Sequence, residues 1–554
     1  MIDTCASMAV NTAPHHLPGL AGNDTARWLH ALREPRCYPH PVRPVRIIET
    51  HISWVLLTGN YAYKIKKPVN LGFLDFTHLK ARHHYCDEEV RLNRRLAAEL
   101  YLGTVAITGT PDTPQIGGPG AAFEYAVKMR QFPQSALLDA ALARGKVGAP
   151  HFEALAHKIA HFHAALPPLP GNASRPEAAV LAPALDSFDQ MLPLLDTAAD
   201  IAQLNALRGR MLAAYQSRTR RFACRHALGR VRECHGDLHL GNIVLINGAA
   251  TPFDCIEFNA ALRQIDVMSE VAFLAMDLEA HGRRDLAFAF LNAYLEASGD
   301  YEGVAVLPFY RAYRALVRAK IGLIRSAQAG AASPQRDQAL GDFRRYIGLA
   351  GRCVQERRGA VIITHGASGS GKTTVTQPLP AVLGAIRLRS DLERKRLHGV
   401  NALARTGSAV AAGIYTPNAT QRTYATLARY ALTIAAAGMP AIVDGSFLRR
   451  RQREALRAVA RRLGVPFAIL DVRAPPEALK ERIASRAAAA IDASEANAAV
   501  LEHQLATRDA LAAKESRDVI AVNSADETPA SAAKLGARIL RALRSGHPYD
   551  TNQP

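Results

Sequence analysis

A glycine-rich segment after an apolar run constrains the fold of this chain more than any other feature does. Residues 366–373 read Gly-Ala-Ser-Gly-Ser-Gly-Lys-Thr, and the run Val361-Ile362-Ile363 precedes them. This is the Walker A pattern in its expected order: a buried strand, a turn rich in glycine and the start of a helix. The glycines let the backbone curl so that successive N–H groups point at phosphate oxygens. The sequence therefore predicts a site for a nucleoside triphosphate.

Individual residues of this segment have expected roles. Lys372 would reach the β- and γ-phosphates, Thr373 would place its hydroxyl on Mg²⁺, and the N-terminus of the helix would favour the same anion. The expected nucleotide-binding set is Gly366, Ala367, Ser368, Gly369, Ser370, Gly371, Lys372, Thr373 and Thr374.

The sequence after Arg357-Arg358-Gly359, which we interpret as a linker, alternates between strand-like apolar runs and helical segments. This alternation predicts an α/β fold with a parallel sheet flanked by helices. The predicted strands are residues 361–364, 386–388, 441–443, 467–472 and 519–522.

Polar residues near these strands are candidates for the chemistry of a phosphate site. Asp444 ends a buried strand, which is a Walker B-like place for the Mg²⁺ shell. Arg482 and Arg486 are four residues apart and share a helix face, so they could close over a transferring phosphate or simply form a solvated face.

Residues 357–545 resemble P-loop kinases of the gluconate-kinase and zeta-toxin type. The resemblance implies that the strand ending in Ser390-Asp391 faces the acceptor. Asp391 would then orient or deprotonate a hydroxyl, and Arg394 would hold an anionic group.

A second pattern typical of phosphoryl transfer lies in the first half of the chain. Residues 235–242 read His-Gly-Asp-Leu-His-Leu-Gly-Asn, which matches H-x-D-x-x-x-x-N. Asp237 could accept the proton of a substrate hydroxyl, and Asn242 could coordinate Mg²⁺. We expect His235 to brace the loop. Strands are predicted over residues 243–246 and 252–258, across an Asn247-Gly248 turn.

This region resembles the aminoglycoside phosphotransferase family, a branch of the protein-kinase-like fold. The loop of that family reads H-G-D-x-x-x-x-N and precedes a strand that ends in I-D-[WF], whereas this chain has Ile256-Glu257-Phe258. The resemblance covers residues 45–345 and implies that Glu257 is a metal ligand, with Asp254 as the alternative.

The segment before the loop contains the other expected parts of such a site. Lys64 and Lys66 share one face of a predicted strand, and we prefer Lys64 as the phosphate-pairing lysine. The predicted helix 80–98 directs Glu88 or Glu89 inward, where a carboxylate needs a cationic partner. We assign Glu88 to the nucleotide site and leave Glu89 open. By the resemblance, the backbone of residues 126–132 would hold the adenine.

The chain is long enough for two or three domains. We predict a loose lead-in over residues 1–30, an aminoglycoside phosphotransferase-like kinase domain over 31–354 and a P-loop kinase-like domain over 355–548. The fold class is therefore an α+β bilobal protein-kinase-like domain followed by an α/β P-loop domain. The order resembles a bacterial family that fuses these two kinds of domain.

Composition narrows the partners and the compartment. No apolar run approaches the roughly 20 residues that span a bilayer, the first 20 residues do not resemble a signal peptide, and the seven cysteines form no C-x-x-C pair. We therefore expect a cytoplasmic protein without a membrane partner. The net charge of +19 is spread over many segments, which favours phosphorylated ligands over nucleic acid.

The function predicted from these patterns is an ATP- and Mg²⁺-dependent phosphotransferase that acts on a hydroxyl of a small polar molecule. Two alternatives stay open. One is a nucleotide-sensing regulator with a degenerate kinase domain, which Glu257 in place of aspartate would suit. The other is a polynucleotide or nucleotide kinase, which the positive charge would suit.

Overall fold

The chain forms two compact units. The computed structural model describes residues 22–72, 74–169, 179–329, 333–356, 358–401, 404, 412–489, 497–525 and 531–545. Unit 1 comprises the chain up to His281 together with Phe309–Val354, and unit 2 comprises Gly282–Pro308 together with the chain from Gln355 onward. Residues 282–308, which the sequence assigned to the first domain, thus group with the second.

An antiparallel sheet of six strands begins unit 1, in the order β1-β2-β3-β6-β4-β5. Its strands are β1 (Arg46–Glu49), β2 (Ser53–Leu57), β3 (Tyr61–Lys66), β4 (Tyr101–Thr110), β5 (Thr113–Ile116) and β6 (Glu124–Arg130). Helix α2 (Leu79–Ala97) packs on β4 and β6. Strand β3 lies between β2 and β6, so that Lys64 is opposite both Val55 and Val127. This central position explains how β3 buries the lysines that it carries.

The start of the described chain is more ordered than the sequence suggested. Helix α1 (Gly22–Ala31) covers residues that we predicted as part of a loose lead-in. Its Trp28 is buried and meets Trp54 of β2 edge-on, with ring centroids 5.8 Å apart. The rest of the predicted lead-in lies outside the described residues.

The remainder of unit 1 is mainly helical. Two short antiparallel pairs interrupt it: β7 (Val231–Glu233) with β10 (Gln264–Asp266), and β8 (Ile243–Ile246) with β9 (Ala249–Pro252). The helices that follow α2 are α3 (Leu138–Ala143), α4 (Ala149–Ala165), α5 (Ala182–Met191), α6 (Ala198–Gln216), α7 (Thr219–Ala227), α8 (Ala260–Arg263), α9 (Val267–Ala280), α10 (Arg284–Ser298, in unit 2), α11 (Leu307–Gln328) and α12 (Pro334–Val354).

The turn between β8 and β9 decides which carboxylate follows the hairpin. Asn247 and Gly248 both have positive φ, 50° and 81°, as a type I′ turn requires. Strand β9 therefore starts at once, pairs Pro252 with Ile243 and ends there. The predicted bounds of the second strand, 252–258, were wrong, because β9 ends at Pro252 and residues 253–258 follow it.

Unit 2 contains a parallel sheet of five strands in the order β12-β13-β11-β14-β15. The strands are β11 (Ala360–His365), β12 (Ile386–Arg389), β13 (Pro440–Asp444), β14 (Phe467–Arg473) and β15 (Val519–Asn523). The helices from Lys372 onward are α13 (Lys372–Thr376), α14 (Leu379–Leu383), α15 (Ser390–Leu397), α16 (Pro417–Ala436), α17 (Arg450–Leu463), α18 (Pro476–Ala489), α19 (Ala498–Thr507) and α20 (Ala532–Ser545). The five predicted strands are all present.

Helix α10 covers the edge of this sheet. The side-chain amide of Asn292 donates to the Ala385 carbonyl at 3.0 Å, and its oxygen accepts from the Arg387 N–H at 2.7 Å. Glu296 on the same helix forms an ion pair with Arg387 at 3.0 Å. Residues 282–308 thus satisfy backbone groups that an edge strand would otherwise expose, which is why they belong to unit 2.

These arrangements confirm the predicted fold class. Unit 1 has the strand order, the helix on the sheet and the helical second lobe of a protein-kinase-like fold, and unit 2 has the parallel sheet of a P-loop domain. Among the described helices, none combines the length and apolar content needed to cross a lipid bilayer.

Candidate functional site

The two lysines of β3 form a buried chain of alternating charges with three carboxylates. Lys64 Nζ donates to Glu89 Oε1 at 2.9 Å and to Asp254 Oδ1 at 2.5 Å. Lys66 Nζ donates to Glu89 Oε2 at 2.8 Å and also to Glu257. Although burial lowers the pKa of Lys64, Asp254 and Glu89 raise it well above its ordinary value. Burial likewise lowers the pKa of Lys66, but Glu257 and Glu89 raise it above its ordinary value, so both lysines are charged.

Glu89, and not Glu88, is the helix carboxylate at this site. Glu89 is fully buried, and although burial raises its pKa, Lys64 and Lys66 hold it at about 2. Glu88 instead pairs with Arg91 one turn along the same helix, at 2.8 Å. The assignment of Glu88 to the nucleotide site was wrong, because the helix turns that side chain away from β3.

The two lysines differ in what they can reach. Lys64 lines a cleft in unit 1, whereas Lys66 is 0% exposed and is not part of its wall. The residues around the cleft are Val55, Leu57, Ala62, Lys64, Tyr101, Met129, Arg130, Gln131, Phe132, Gln134, Phe253 and Asp254. This wall is mostly apolar and has a cation and a carboxylate at one side, as a site for a base and its phosphates requires.

Asp254 takes the place that the sequence gave to Glu257. Asp254 comes just after β9, lines the cleft and has a φ of 63°. Glu257 is 4% exposed and is committed to Lys66, and burial together with the charge of Glu89 raises its pKa. The geometry therefore replaces Glu257 with Asp254 as the metal-ligand candidate, because the hairpin ends earlier than predicted.

The predicted catalytic loop brings Asp237 and Asn242 together. The Asn242 amide donates to Asp237 Oδ2 at 2.7 Å. The Nδ1 atom of His239 accepts from the Gly241 N–H at 3.0 Å, so its Nε2 carries the proton and faces Asp237 Oδ2 at 3.3 Å. His235 bonds to the Phe253 carbonyl at 2.9 Å, which fits the bracing role that we expected.

Two acidic residues of α9 accept hydrogen bonds from backbone N–H groups of this loop. Glu270 accepts from the Gly236 N–H at 2.7 Å and bonds to His163 at 2.9 Å. Asp277 accepts from the Leu240 N–H at 3.0 Å. The sequence analysis missed both residues, although acidic side chains within the otherwise apolar stretch of α9 indicate buried polar partners.

The glycine-rich loop of unit 2 has the backbone that phosphate binding requires. Gly369 and Gly371 have φ values of 84° and 90°. A Cβ at Gly369 would lie 2.7 Å from the Leu479 carbonyl oxygen, so only glycine fits there. Lys372 begins α13 and curls back over the loop, where its Nζ donates to the Ala367 carbonyl at 2.8 Å.

An oxygen acceptor already lies at one amide of this loop. The Ser368 N–H donates to the side-chain oxygen of Gln504 at 2.8 Å. Gln504 lies on α19 and was not predicted from the sequence. Its side-chain oxygen accepts from a loop N–H, as a phosphate oxygen would. Arg482 donates to Ser524 at 2.8 Å and to the Gly369 carbonyl at 3.4 Å. Arg482 therefore lies against the loop, whereas the side chain of Arg486 lies outside the described residues.

Asp444 lies beside the short helix that follows the glycine-rich loop. It ends β13, is buried and accepts from the Thr376 hydroxyl at 3.1 Å. Thr373 lies one turn earlier on the same short helix. Carboxylate and hydroxyl oxygens suit Mg²⁺. The donor sets of both units, Asn242 with Asp254 and Thr373 with Asp444, therefore fit this ion.

On the expected acceptor side of unit 2, Arg394 has protein partners. It donates to the Ile414 carbonyl at 3.0 Å and to the Thr420 hydroxyl at 3.1 Å, whereas its Nε has no hydrogen-bond partner among the described residues. Asp391 is half-buried in the first turn of α15. Asp391 lies near Tyr424. Burial raises the pKa of the Tyr424 hydroxyl, and the negative charge of Asp391 also raises it.

Comparison with known sequences gives matches over most of the chain and over the P-loop part. The chain is 30% identical over 488 residues to the uncharacterized protein Rv2004c of Mycobacterium tuberculosis (strain ATCC 25618 / H37Rv), covering 85% of this chain and 93% of that protein. The uncharacterized protein Mb2027c of Mycobacterium bovis matches to the same extent. The AAA domain family matches residues 361–511.

Solved structures are similar to parts of the chain. A gluconokinase from Sinorhizobium meliloti 1021 is 20% identical with a TM-score of 0.25, over 34% of this chain and 96% of its own. A choline/ethanolamine kinase family protein from Mesorhizobium loti is 14% identical with a TM-score of 0.35, over 60% of this chain and 97% of its own.

Proposed function

The chain belongs to the family of the mycobacterial proteins Rv2004c and Mb2027c, and from that premise we propose that it is a phosphotransferase with two nucleotide sites. Unit 1 would transfer the γ-phosphoryl group of ATP to a hydroxyl of a small polar molecule. Unit 2 would bind a second ATP, either for similar chemistry or to regulate unit 1.

One observation carries the proposal for unit 1. Lys64 and Asp254 line the apolar cleft, and Phe253 of the same wall donates its N–H to the Asn242 carbonyl at 2.9 Å, which ties the cleft to the loop that carries the Asp237–Asn242 pair. Phosphoryl transfer needs little covalent chemistry from the protein, and it depends on positioning and on charge around the phosphates. These residues provide both.

The residues of unit 1 have distinct tasks in this reaction. Glu89 keeps Lys64 charged and fixed, so that Lys64 can pair with phosphate oxygens. Asn242 and His239 orient Asp237, which accepts the proton of the acceptor hydroxyl as that oxygen attacks phosphorus. The backbone after β6 would hold the adenine. Mg²⁺, held through Asn242 and Asp254, would neutralise the phosphate charge when bound.

The tasks proposed for unit 2 follow from its loop. Lys372 and the loop amides would bind the phosphates, Arg482 would lie over them, and Thr373 with Asp444 would hold Mg²⁺. Asp391 would face an acceptor hydroxyl.

The alternative of a degenerate kinase rested on Glu257 in place of aspartate. Asp254 lines the cleft and Glu257 does not, so that substitution lies outside the wall in which we propose the nucleotide binds. No observation favours the sensor over the enzyme.

The test uses the full-length chain with one unit silenced at a time. In a Lys372→Ala background, ADP release with a panel of hydroxyl metabolites reports unit 1. Asp237→Asn should abolish the acceptor-dependent release while ATP still binds by calorimetry. Asp196→Asn, which removes an exposed carboxylate of the same unit, is the control. Full acceptor-dependent turnover by Asp237→Asn would show that the base is misassigned.

A further inference from the structure

Helix α11 directs three arginines at the elements around the catalytic loop. Arg311, Arg314 and Arg318 are spaced three and four residues apart, so they share one face of the helix. We call them the arginine face of α11. This face was not part of the sequence-based site, and its three members differ in how their guanidinium groups are used.

Two members of the arginine face contact protein partners, although the Nε atom of Arg311, like Nη1 of Arg318, has no hydrogen-bond partner among the described residues. Arg311 forms an ion pair with Glu279 of α9. Arg314 donates to the Gly236 carbonyl at 3.1 Å and to the Ser269 hydroxyl at 3.2 Å. Arg314 therefore touches the residue that precedes the catalytic Asp237, which fixes the helix against the loop.

Arg318 lies one turn further along the helix, and one nitrogen of its guanidinium has no hydrogen-bond partner among the described residues. Four residues of helix advance it by about 6 Å from Arg314. Its side chain is partly exposed, but its Nη1 atom is buried without a hydrogen-bond partner among the described residues. A buried donor of a charged group that lacks a partner is costly. That cost suggests that a ligand completes this group.

The surroundings of Arg318 connect it to the catalytic loop. Its guanidinium lies 5.6 Å from the centre of the Tyr346 ring, and the Tyr346 hydroxyl donates to Asp277 at 3.1 Å. Asp277 in turn accepts from Leu240 of the catalytic loop. Burial lowers the pKa of Arg318, but Tyr346, Asp277 and Asp237 raise it above its ordinary value.

Asp277 raises the pKa of Arg318 by its charge, but it forms no ion pair with Arg318 within 4.0 Å. Its oxygens accept from the Leu240 N–H and the Tyr346 hydroxyl, and within the described part of the chain its ion pair is with His281 at 3.8 Å and not with Arg318. The Nη1 atom of Arg318 thus keeps a position at which it can donate a hydrogen bond.

We infer that Arg318 forms a subsite for an anionic group of the acceptor. The acceptor of unit 1 is then a hydroxyl compound that also carries a carboxylate or a phosphate. This rests on the proposed function, since it assumes that the acceptor hydroxyl meets Asp237. A polycationic acceptor would be repelled by the same charge.

The test compares acceptors of different charge on the full-length chain with Lys372→Ala. The probes are inositol, glucosamine, glucuronate and glucose 6-phosphate. The expected result is that turnover favours an anionic probe, and that Arg318→Gln raises the KM of that probe by about 10- to 100-fold, the range of one charge-assisted hydrogen bond. The KM for ATP should stay unchanged, and Arg318→Lys should recover part of the affinity. Arg345→Gln is the matched control, since Arg345 lies 5.0 Å from the same Tyr346 ring but is exposed.

Each other result is decisive. If turnover depends on Asp237 but neutral or cationic probes serve best, or Arg318→Gln changes only kcat, the subsite is refuted and the proposed function stands. If no probe turns over, the proposed function loses its support, and the subsite is judged by calorimetry with inorganic phosphate on the protein loaded with AMP-PNP. Binding that Arg318→Gln weakens and Arg345→Gln does not would support the subsite, and any other outcome would overturn it.

Discussion

Replacing Glu89 by glutamine tests whether the buried charge chain organises unit 1. Glu89 accepts hydrogen bonds from Lys64 at 2.9 Å and from Lys66 at 2.8 Å, and it is fully buried. Removing one partner of a buried pair costs about 3–5 kcal/mol. Each lysine keeps one other carboxylate, Asp254 or Glu257, so we expect the lower end of that range, about 3 kcal/mol.

Glu88→Gln is the matched control on the same helix. Glu88 pairs at 2.8 Å with Arg91, whose side chain is 49% exposed, and more distantly at 3.6 Å with Arg263; a surface pair such as that with Arg91 contributes at most about 1 kcal/mol. The two substitutions change the same chemical group at neighbouring positions. Their difference therefore reports the burial and the two lysines, and not the loss of one negative charge on the helix.

Tryptophan fluorescence in urea isolates the relevant unit. The chain has two tryptophans, and both Trp28 and Trp54 are buried in the core beside the six-stranded sheet of unit 1. With a slope of about 1–3 kcal/mol per molar urea, Glu89→Gln should lower the midpoint by about 1–3 M, and Glu88→Gln by no more than a third of that. Equal shifts for the two variants, or a larger one for Glu88→Gln, would refute the assignment of Glu89 to the lysine pair.

Three further predictions follow from the same contacts. The stability difference between wild type and Glu89→Gln should shrink as the pH falls from about 4.5 to about 2. The pKa of Glu89 is lowered from 4.5 to about 2 in the folded protein, so its carboxylate contributes full stability above the unfolded pKa and loses that contribution as the pH falls through the folded pKa. Urea midpoints at several pH values check this. Asp254→Asn should abolish Mg²⁺-dependent ADP release from unit 1, whereas Glu257→Gln should mainly lower the urea midpoint. A Mg²⁺ titration of ADP release by both variants checks this, and loss of the Mg²⁺ response in Glu257→Gln alone would contradict the assignment of Asp254. Asn292→Ala should leave the Ala385 carbonyl and the Arg387 N–H without their hydrogen-bond partner, at a cost of about 1–3 kcal/mol each. Hydrogen exchange of the Arg387 amide should then become faster, while the amides of unit 1 are unaffected.

The sequence predicted the parts of the fold that depend on local pattern. The five parallel strands of unit 2 were recognisable because each is a short apolar run at the spacing of an alternating β/α fold. The glycine-rich loop was recognisable because its residues are adjacent in the chain. The loop containing Asp237 and Asn242 was found for the same reason.

The inward face of α2 could not be predicted from hydrophobicity alone. The stripe of Tyr85 and Leu92 allows either Glu88 or Glu89 to point inward, since both are at helical spacing from it. In the structure the buried positions include Arg82 and Asn93, whose side chains bond to Glu124 and to the Cys255 N–H. A polar residue is buried there because a distant segment supplies its partner, and that segment is not visible in the helix sequence.

The sequence pointed to the wrong carboxylate for the metal, because the short strand β9 ends a few residues earlier than predicted. The turn at Asn247-Gly248 was recognised, but its tightness was not used to count the strand that follows. A two-residue turn pairs Ile243 with Pro252, so the carboxylate beyond the strand is Asp254. The family pattern favoured Glu257, yet the backbone geometry of the hairpin favours Asp254.

The connection between the units also explains why no single cut in the sequence separates them. The chain passes from unit 1 to unit 2 after His281, returns after Pro308 and passes over again after Val354. A fragment that starts at residue 355 would lack Asn292 and Glu296, so the Arg387 N–H and the Ala385 carbonyl would lose their partners at the sheet edge. A fragment that ends at residue 354 would carry α10 without the strand that it covers. The segment was assigned to the first domain because its helical pattern continues that of α9 and α11, and only a long-range contact distinguishes it. Point variants in the full-length chain are therefore the way to assign each activity to its unit.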